Sequence, residues 1–245
     1  MQFVQKGNSE GPRLVLIHAM YTDGTVFDAL SERLCADYRL IIPTLDGHGT
    51  DGTVFHSVGE EADGLIDYLD ENGLWPIELV YGISLGGIIA FEVCRRRAKD
   101  IGHGLFDGAP FVHMPPLRRK FMAVMFRHVA HAARRRPGKK GILDREFPGE
   151  AGLMKRVCGR ISDESIDNLA QACYTYILPE ALEPGMKVTF LYGSEERAAV
   201  CVPEVKKLSG AKVLVREGCG HCQFLSSEPD NYAKLISEIA KEERQ

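Results

Sequence analysis

Short apolar runs alternate along this chain with longer stretches in which apolar residues recur every three to four positions. Arg13-Leu14-Val15-Leu16-Ile17, Tyr38 to Ile42, Ile77 to Tyr81, Gly104 to Asp107, Lys187 to Tyr192 and Lys212 to Val215 are the runs. Such short apolar segments suit strands of a parallel sheet covered on both faces. Phe3 and Val4 suggest a further edge strand before the break at Gly11-Pro12. Val26, Phe27, Leu30 and Leu34 predict a helix from a Thr22-Asp23 cap to about Cys35. Ala62, Leu65, Ile66 and Leu69 predict one over Ser57 to Asp70, and Leu85, Ile88, Ile89 and Val93 another over Leu85 to Arg97. A short helix is expected over Pro203 to Leu208, and a final one from the Gly218–Cys222 loop to the C-terminus. Strands alternating with helices predict the α/β class: a mostly parallel sheet with helices on both faces.

The alternation stops between residues 111 and 180. Pro115-Pro116 breaks the chain, and Phe121, Val124, Met125, His128, Val129 and Ala132 then repeat at helical spacing. Ala151 to Gly159 and Ser162 to Leu178 read as two more helices, and no strand pattern appears. Arg134-Arg135-Arg136-Pro137-Gly138-Lys139-Lys140-Gly141 is a basic loop rich in breakers. Residues 111–180 hold 13 Lys and Arg against 7 Asp and Glu; subtraction from the totals of 30 and 34 leaves 17 against 27 elsewhere. A segment of charge +6 therefore sits in a body of charge −10, which marks it as a module. The expected organisation is a core from 1–110 and 181–245 with an inserted helical unit over 111–180.

The chemistry concentrates where the run Ile77 to Tyr81 meets the helix from Leu85. Between them stands Gly82-Ile83-Ser84-Leu85-Gly86. A serine hydroxyl attacks a carbonyl only when a base takes its proton and its Oγ is held exposed. A sharp strand-to-helix corner does the holding, and glycines on either side remove side chains that would collide across it. The helix start aims free N–H groups at a developing oxyanion.

In this context the sequence resembles the α/β-hydrolase superfamily, with Gly82 to Gly86 as its nucleophile elbow. The resemblance covers the whole chain, weakly within 111–180, which looks like the helical cap that many members carry after their sixth strand. It implies Ser84 as nucleophile and His221, in Gly218-Cys219-Gly220-His221-Cys222, as base. In Gly193-Ser194-Glu195-Glu196 the acid maps to Glu196, with Glu195 and the strand-end Asp107 as alternatives. It further implies an oxyanion hole from the backbone N–H groups of Met20 and Leu85. Ala19 stands where the superfamily usually has glycine. His18 then reads as a loop histidine satisfying backbone groups, and Asp46 and His48 as turn-formers. The order Ser84, Glu196, His221 is that of the superfamily. It implies a serine hydrolase acting on an ester or thioester, resembling carboxylesterases and monoacylglycerol-type lipases. C–C bond hydrolases or related enzymes of aromatic or quinone metabolism, and non-catalytic ligand-binding relatives, are the alternatives.

Composition narrows the partners. The net charge of −4 predicts no nucleic-acid binding. No apolar run is long enough to span a bilayer, so no membrane partner is expected. Met1 to Lys6 lacks a basic stretch followed by an apolar one, so no signal peptide and a cytoplasmic location are expected. The 7 scattered cysteines suit reduced thiols. Cys219 and Cys222 have no second Cys or His pair to complete a zinc site and read as small packing residues. No metal or organic cofactor is expected. Arg95-Arg96-Arg97 reads as a solvated helix end suited to the helix dipole. The basic 111–180 segment suits an anionic small-molecule acyl substrate. Oligomeric state is left open by the sequence.

Overall fold

The computed structural model describes residues 1–136 and 138–242; Pro137, within the expected basic loop, and the last three residues lie outside the described residues. The strands are β1 (Gln2–Gly7), β2 (Arg13–Ile17), β3 (Arg39–Thr44), β4 (Ile77–Ile83), β5 (Ile101–Asp107), β6 (Val188–Gly193) and β7 (Lys212–Arg216). The helices are α1 (Asp28–Leu34), α2 (Val58–Glu71), α3 (Leu85–Arg96), α4 (Pro116–Arg135), α5 (Ile142–Glu146), α6 (Ala151–Arg160), α7 (Asp163–Thr175), α8 (Val202–Val205), α9 (Gln223–Ser227) and α10 (Pro229–Glu242). One sheet has the order β1-β3-β2-β4-β5-β6-β7. Only β1 runs antiparallel, against β3. The expected α/β-hydrolase architecture is present.

The inner strands β2 to β6 are largely buried because both faces are covered, while the edge strands β1 and β7 carry exposed polar residues. One core joins α2, α3 and the 111–180 segment through residues such as Leu65, Ile88, Phe91 and Phe190. The other packs α1 and α10 through Leu30, Leu34, Tyr232 and Ile236. The chain builds outward from β2 to β3 and then crosses back to lay β4 on the other side of β2. This reversal opens a crevice at the carboxyl ends of β2 and β4, the place where open α/β sheets take ligands. Ser84 follows β4 at that crevice, and His18 to Met20 follow β2 beside it.

Among the described residues, 111–180 is helical and strandless, as the sequence predicts. Counted along this chain, it follows the fifth strand. α4 packs on α6 and α7, and the unit is tied to the core by hydrogen bonds. The Tyr21 hydroxyl donates to the Phe126 carbonyl at 3.1 Å, Phe55 N–H to Ser165 Oγ at 3.1 Å, and Tyr176 Oη to Glu92 Oε2 at 2.7 Å.

Boundaries differ where local chemistry intervenes. The helix predicted from Thr22 opens as a 3₁₀ turn over Gly24–Phe27, capped by Asp23. α7 stops at Thr175 because Tyr176 turns back to bond Glu92. The final helix is split into α9 and α10 ahead of Pro229, whose ring cannot continue an α-helix from within. α5 has too few residues to show a period. The arginines at the end of α3 are not a merely solvated end. Arg95 and Arg96 both donate to the largely buried Glu92, and Arg97 lies 4.5 Å over the Trp75 ring.

Candidate active site

Ser84 occupies the corner between β4 and α3 with φ 53° and ψ −117°. Positive φ is costly for a residue with a Cβ and persists only where the surroundings enforce it. Here the enforcement is visible. Ser84 N–H donates to the Asp107 carbonyl at the end of β5, at 2.7 Å, and Gly87 N–H donates to the Ser84 carbonyl at 2.9 Å. The flanking glycines are sterically required. A Cβ on Gly82 would lie 2.1 Å from the Gly86 carbonyl oxygen, and one on Gly86 would lie 2.2 Å from that of Ile17. This approach sets the first turn of α3 against the loop after β2. It brings Leu85, whose N–H at the helix start has no intrahelical acceptor, beside His18 to Met20. The left-handed residue of that loop is Tyr21, at φ 63°, so Ala19 needs no glycine-like conformation.

His221 reaches the corner from the loop after β7. Its Nε2 lies 3.0 Å from Ser84 Oγ. On the other side its Nδ1 bonds Glu196 Oε2. The Glu196 side chain is fully buried, and its Oε1 accepts the Gly193 N–H at 2.8 Å. Both carboxylate oxygens therefore have donors, so its burial leaves neither oxygen unpaired. The Phe147 ring, from the segment after α5, meets the His221 ring edge-on with centroids 6.2 Å apart.

Neither alternative acid bonds the His221 ring, whose hydrogen-bond partners among the described residues are Ser84 and Glu196. Glu195 is exposed. Asp107 is buried and accepts a 2.7 Å hydrogen bond from the Tyr232 hydroxyl of α10; its burial pushes its carboxyl up to about 7. Tyr232 was not legible as a neighbour of the site, because α10 reads only as an amphipathic helix. Cys222, beside the histidine, adopts φ 54°, and no sequence signal marked it. All seven cysteines are free thiols. Among the described residues no group of three or more His, Cys, Asp or Glu converges as metal ligands would. A groove of about 560 Å³ runs along the seam of α3 and α7, lined by Glu92, Arg95, Gln171 and Tyr176, apart from Ser84 and His221.

His18 and His48 are both fully buried, with rings edge-on at 5.1 Å. Leu45 N–H donates to His18 Nε2 at 3.0 Å, which leaves the Nδ1 proton for the Ala19 carbonyl at 2.8 Å. His48 Nδ1 bonds the Asp46 carbonyl at 3.0 Å. Burial pushes His18 down to about 4 and His48 down to about 3. Both rings shape the loops and stay neutral. Because folding lowers these values below 6.5, the stability they contribute is present above that pH and lost as the medium acidifies. His48 alone should cost about 2 kcal/mol of stability at pH 5. A His48→Phe variant should therefore lose about 2 kcal/mol less than wild type between pH 8 and pH 5, measured by urea unfolding at each pH. The difference between the two proteins cancels groups that titrate oppositely, such as Glu61, lifted by burial to about 8.

The alpha/beta hydrolase family profile matches residues 14–235. The chain belongs to the alpha/beta hydrolase family. A pimeloyl-[acyl-carrier protein] methyl ester esterase of Shewanella oneidensis is 35% identical over 83 residues, 34% of this chain and 29% of that protein. The chain thus spans under a third of that relative's length in the match. One of the same name from Aromatoleum aromaticum is 25% identical over 94% of this chain and 98% of its own. Among solved structures, an alpha/beta hydrolase family protein from Desulfitobacterium hafniense superposes with a TM-score of 0.81, at 23% identity, covering 97% of this chain and 99% of its own. A thermophilic esterase from Thermogutta terrifontis gives 0.77 at 20% identity, covering 100% of this chain and 94% of its own. At these identities the superpositions speak for the fold.

Proposed function

We infer that this alpha/beta hydrolase cleaves an ester of a small molecule through Ser84, His221 and Glu196. The observation that carries the reading is the 3.0 Å approach of His221 Nε2 to Ser84 Oγ at the strained corner, with Glu196 on the far side of the ring. The esterase names of its relatives support the same reaction class. As Oγ attacks the acyl carbonyl, His221 takes its proton, and the buried Glu196 fixes the ring and offsets the imidazolium charge. The oxyanion that forms is bound by the N–H groups of Leu85 and Met20, a role supported by the close approach of Gly86 to the backbone of Ile17 and His18. His221 returns the proton to the leaving alcohol. Water then attacks the acyl-enzyme with His221 as base, and Ser84 is regenerated. The 111–180 unit acts as a cap, with Phe147 over the histidine. A thioester would follow the same steps.

Fluorophosphonate labelling tests this reading. Wild type should be labelled covalently at Ser84, as mapped by peptide mass spectrometry. Folded wild type that takes no label and cleaves no activated ester would exclude it.

The excess positive charge of 111–180 favours an anionic ester, as the carrier-linked ester in the relatives' names would be. A field of this kind raises encounter rates and is screened by salt. For a carboxylate-bearing ester, kcat/KM should fall about threefold or more between low and high ionic strength, with a neutral ester of the same acyl chain nearly unaffected. Equal salt dependence for the two esters would remove the steering.

A further inference from the structure

α4 turns Leu117, Phe121 and Val124 outward, with 81%, 69% and 66% of their surface exposed. At spacing i, i+4, i+7 they form one ridge about 10 Å long on the outer side of the helix. The opposite face is spent on the core, where Phe126, Ala130 and Ala133 are buried. Three large apolar side chains in a row on an outer surface mark a contact that the isolated chain does not supply.

Charge narrows the occupant. Arg118 and Lys120 flank the ridge, both exposed, and neither pairs with a carboxylate among the described residues. Two of the three acids on the neighbouring α7 are already taken, and the third, Glu164, stands exposed in its first turn. Asp167 holds Arg127, and Asp163 holds His131 and Arg134. Arg135, Arg136, Lys139 and Lys140 add cations with no carboxylate partner among the described residues, toward the far end of α4. A second copy of the chain, docked through the same face, would set these cations against one another. A folded acidic protein would need a groove shaped to a convex ridge. An anionic bilayer needs none, because hydrocarbon accepts the ridge whatever its shape and the headgroups meet the cations.

We propose that α4 is a membrane-docking helix that lays Leu117, Phe121 and Val124 into the interface of an anionic lipid bilayer, with Arg118 and Lys120 at headgroup level. The sequence-based expectation of no membrane partner rested on the lack of a spanning run. Among the described residues no helix is long and apolar enough to cross, but a helix lying in the interface needs no such run. Docking turns the outer side of the 111–180 unit toward the lipid. The proposal rests on the surface of α4 and stands apart from the hydrolase reading.

The test is co-sedimentation with vesicles of phosphatidylcholine alone and of phosphatidylcholine with about 30% phosphatidylserine, chosen to carry an anionic surface. Wild type should partition at least about tenfold better onto the anionic vesicles, and added salt should weaken that binding. Leu117→Asp with Phe121→Asp should lower partition at least about tenfold, and Arg118→Glu with Lys120→Glu should abolish the preference for phosphatidylserine. All four substitutions lie on exposed side chains, so thermal melts should match wild type and keep the comparison valid. Absence of vesicle binding by wild type, or equal binding by the Leu117→Asp/Phe121→Asp protein, would overturn the proposal. So would self-association in light scattering that this variant disperses, which would assign the ridge to a second copy. Retention on immobilised polyglutamate without vesicle binding would likewise overturn it in favour of an acidic protein partner.

Discussion

Ser84→Ala should lower kcat on an activated ester by about 10⁵-fold with the fold intact, and His221→Ala should cost about as much. The reason is geometric. On the proposed mechanism Oγ forms the acyl bond, and among the described residues the base at hydrogen-bond distance is His221 Nε2, at 3.0 Å. Removing either leaves the other without a partner in the reaction, so the double variant should be little worse than either single one. What persists would come from substrate binding and the backbone N–H groups, which neither substitution touches. A loss of about 10⁵ corresponds to about 7 kcal/mol of transition-state stabilisation, far beyond what a displaced loop would produce. Steady-state kinetics on p-nitrophenyl esters reads the effect directly. Near-normal turnover by Ser84→Ala would assign the chemistry to another nucleophile.

Glu196→Gln should lower kcat by about 10³- to 10⁴-fold with little change in KM. The two oxygens of Glu196 are committed, Oε1 to the Gly193 N–H and Oε2 to His221 Nδ1. Glutamine keeps the shape but has one oxygen and one NH₂. If its oxygen stays on Gly193, the NH₂ faces Nδ1. The imidazole must then carry its proton on Nε2, where it cannot accept one from Ser84. If the amide is turned over, two donors meet at Gly193 in a buried site. Either arrangement disables the base. Glu195→Gln and Asp107→Asn should retain activity within about tenfold of wild type, since Glu195 is exposed and Asp107 bonds Tyr232. Comparing kcat for the three variants assigns the acid.

Ser84, Glu196 and His221 were legible because each ends a strand with a short motif that turns the chain, and local turn chemistry is written in adjacent residues. Legibility stopped where a role depends on a partner distant in sequence. The motif favoured Glu196 but left Glu195 as an alternative, because the choice depends on which side chain points under His221. Asp107 looked eligible for the same reason, and only the approach of α10 shows that Tyr232 occupies it. Arg95 to Arg97 read as a basic helix end. Their real partners are Glu92 within one turn, Asp63 and Asp70 on α2, and Trp75. Tyr176 completes that group from the inserted unit, which no periodicity could reveal. The strained backbone at Tyr21 and Cys222 was invisible, because neither residue type signals positive φ. The helices of 111–180 were predicted from their spacing, and only the short α5 escaped.

The inserted unit leaves the sheet at the carboxyl end of β5 and returns at the amino end of β6, its parallel neighbour. It is therefore also the crossover that a parallel pair requires, which takes a dozen or more residues. Glu196 and His221 both lie beyond it in the chain, while Ser84 lies before it. The site closes across a separation of 137 residues between Ser84 and His221. During folding, β6 and β7 can add to the sheet only as the inserted segment comes round, so Glu196 and His221 reach Ser84 only once that segment is in place. A chain halted within α4 to α7 would present the Ser84 corner without His221 or Glu196, and on the proposed mechanism would have no base until its last third arrives.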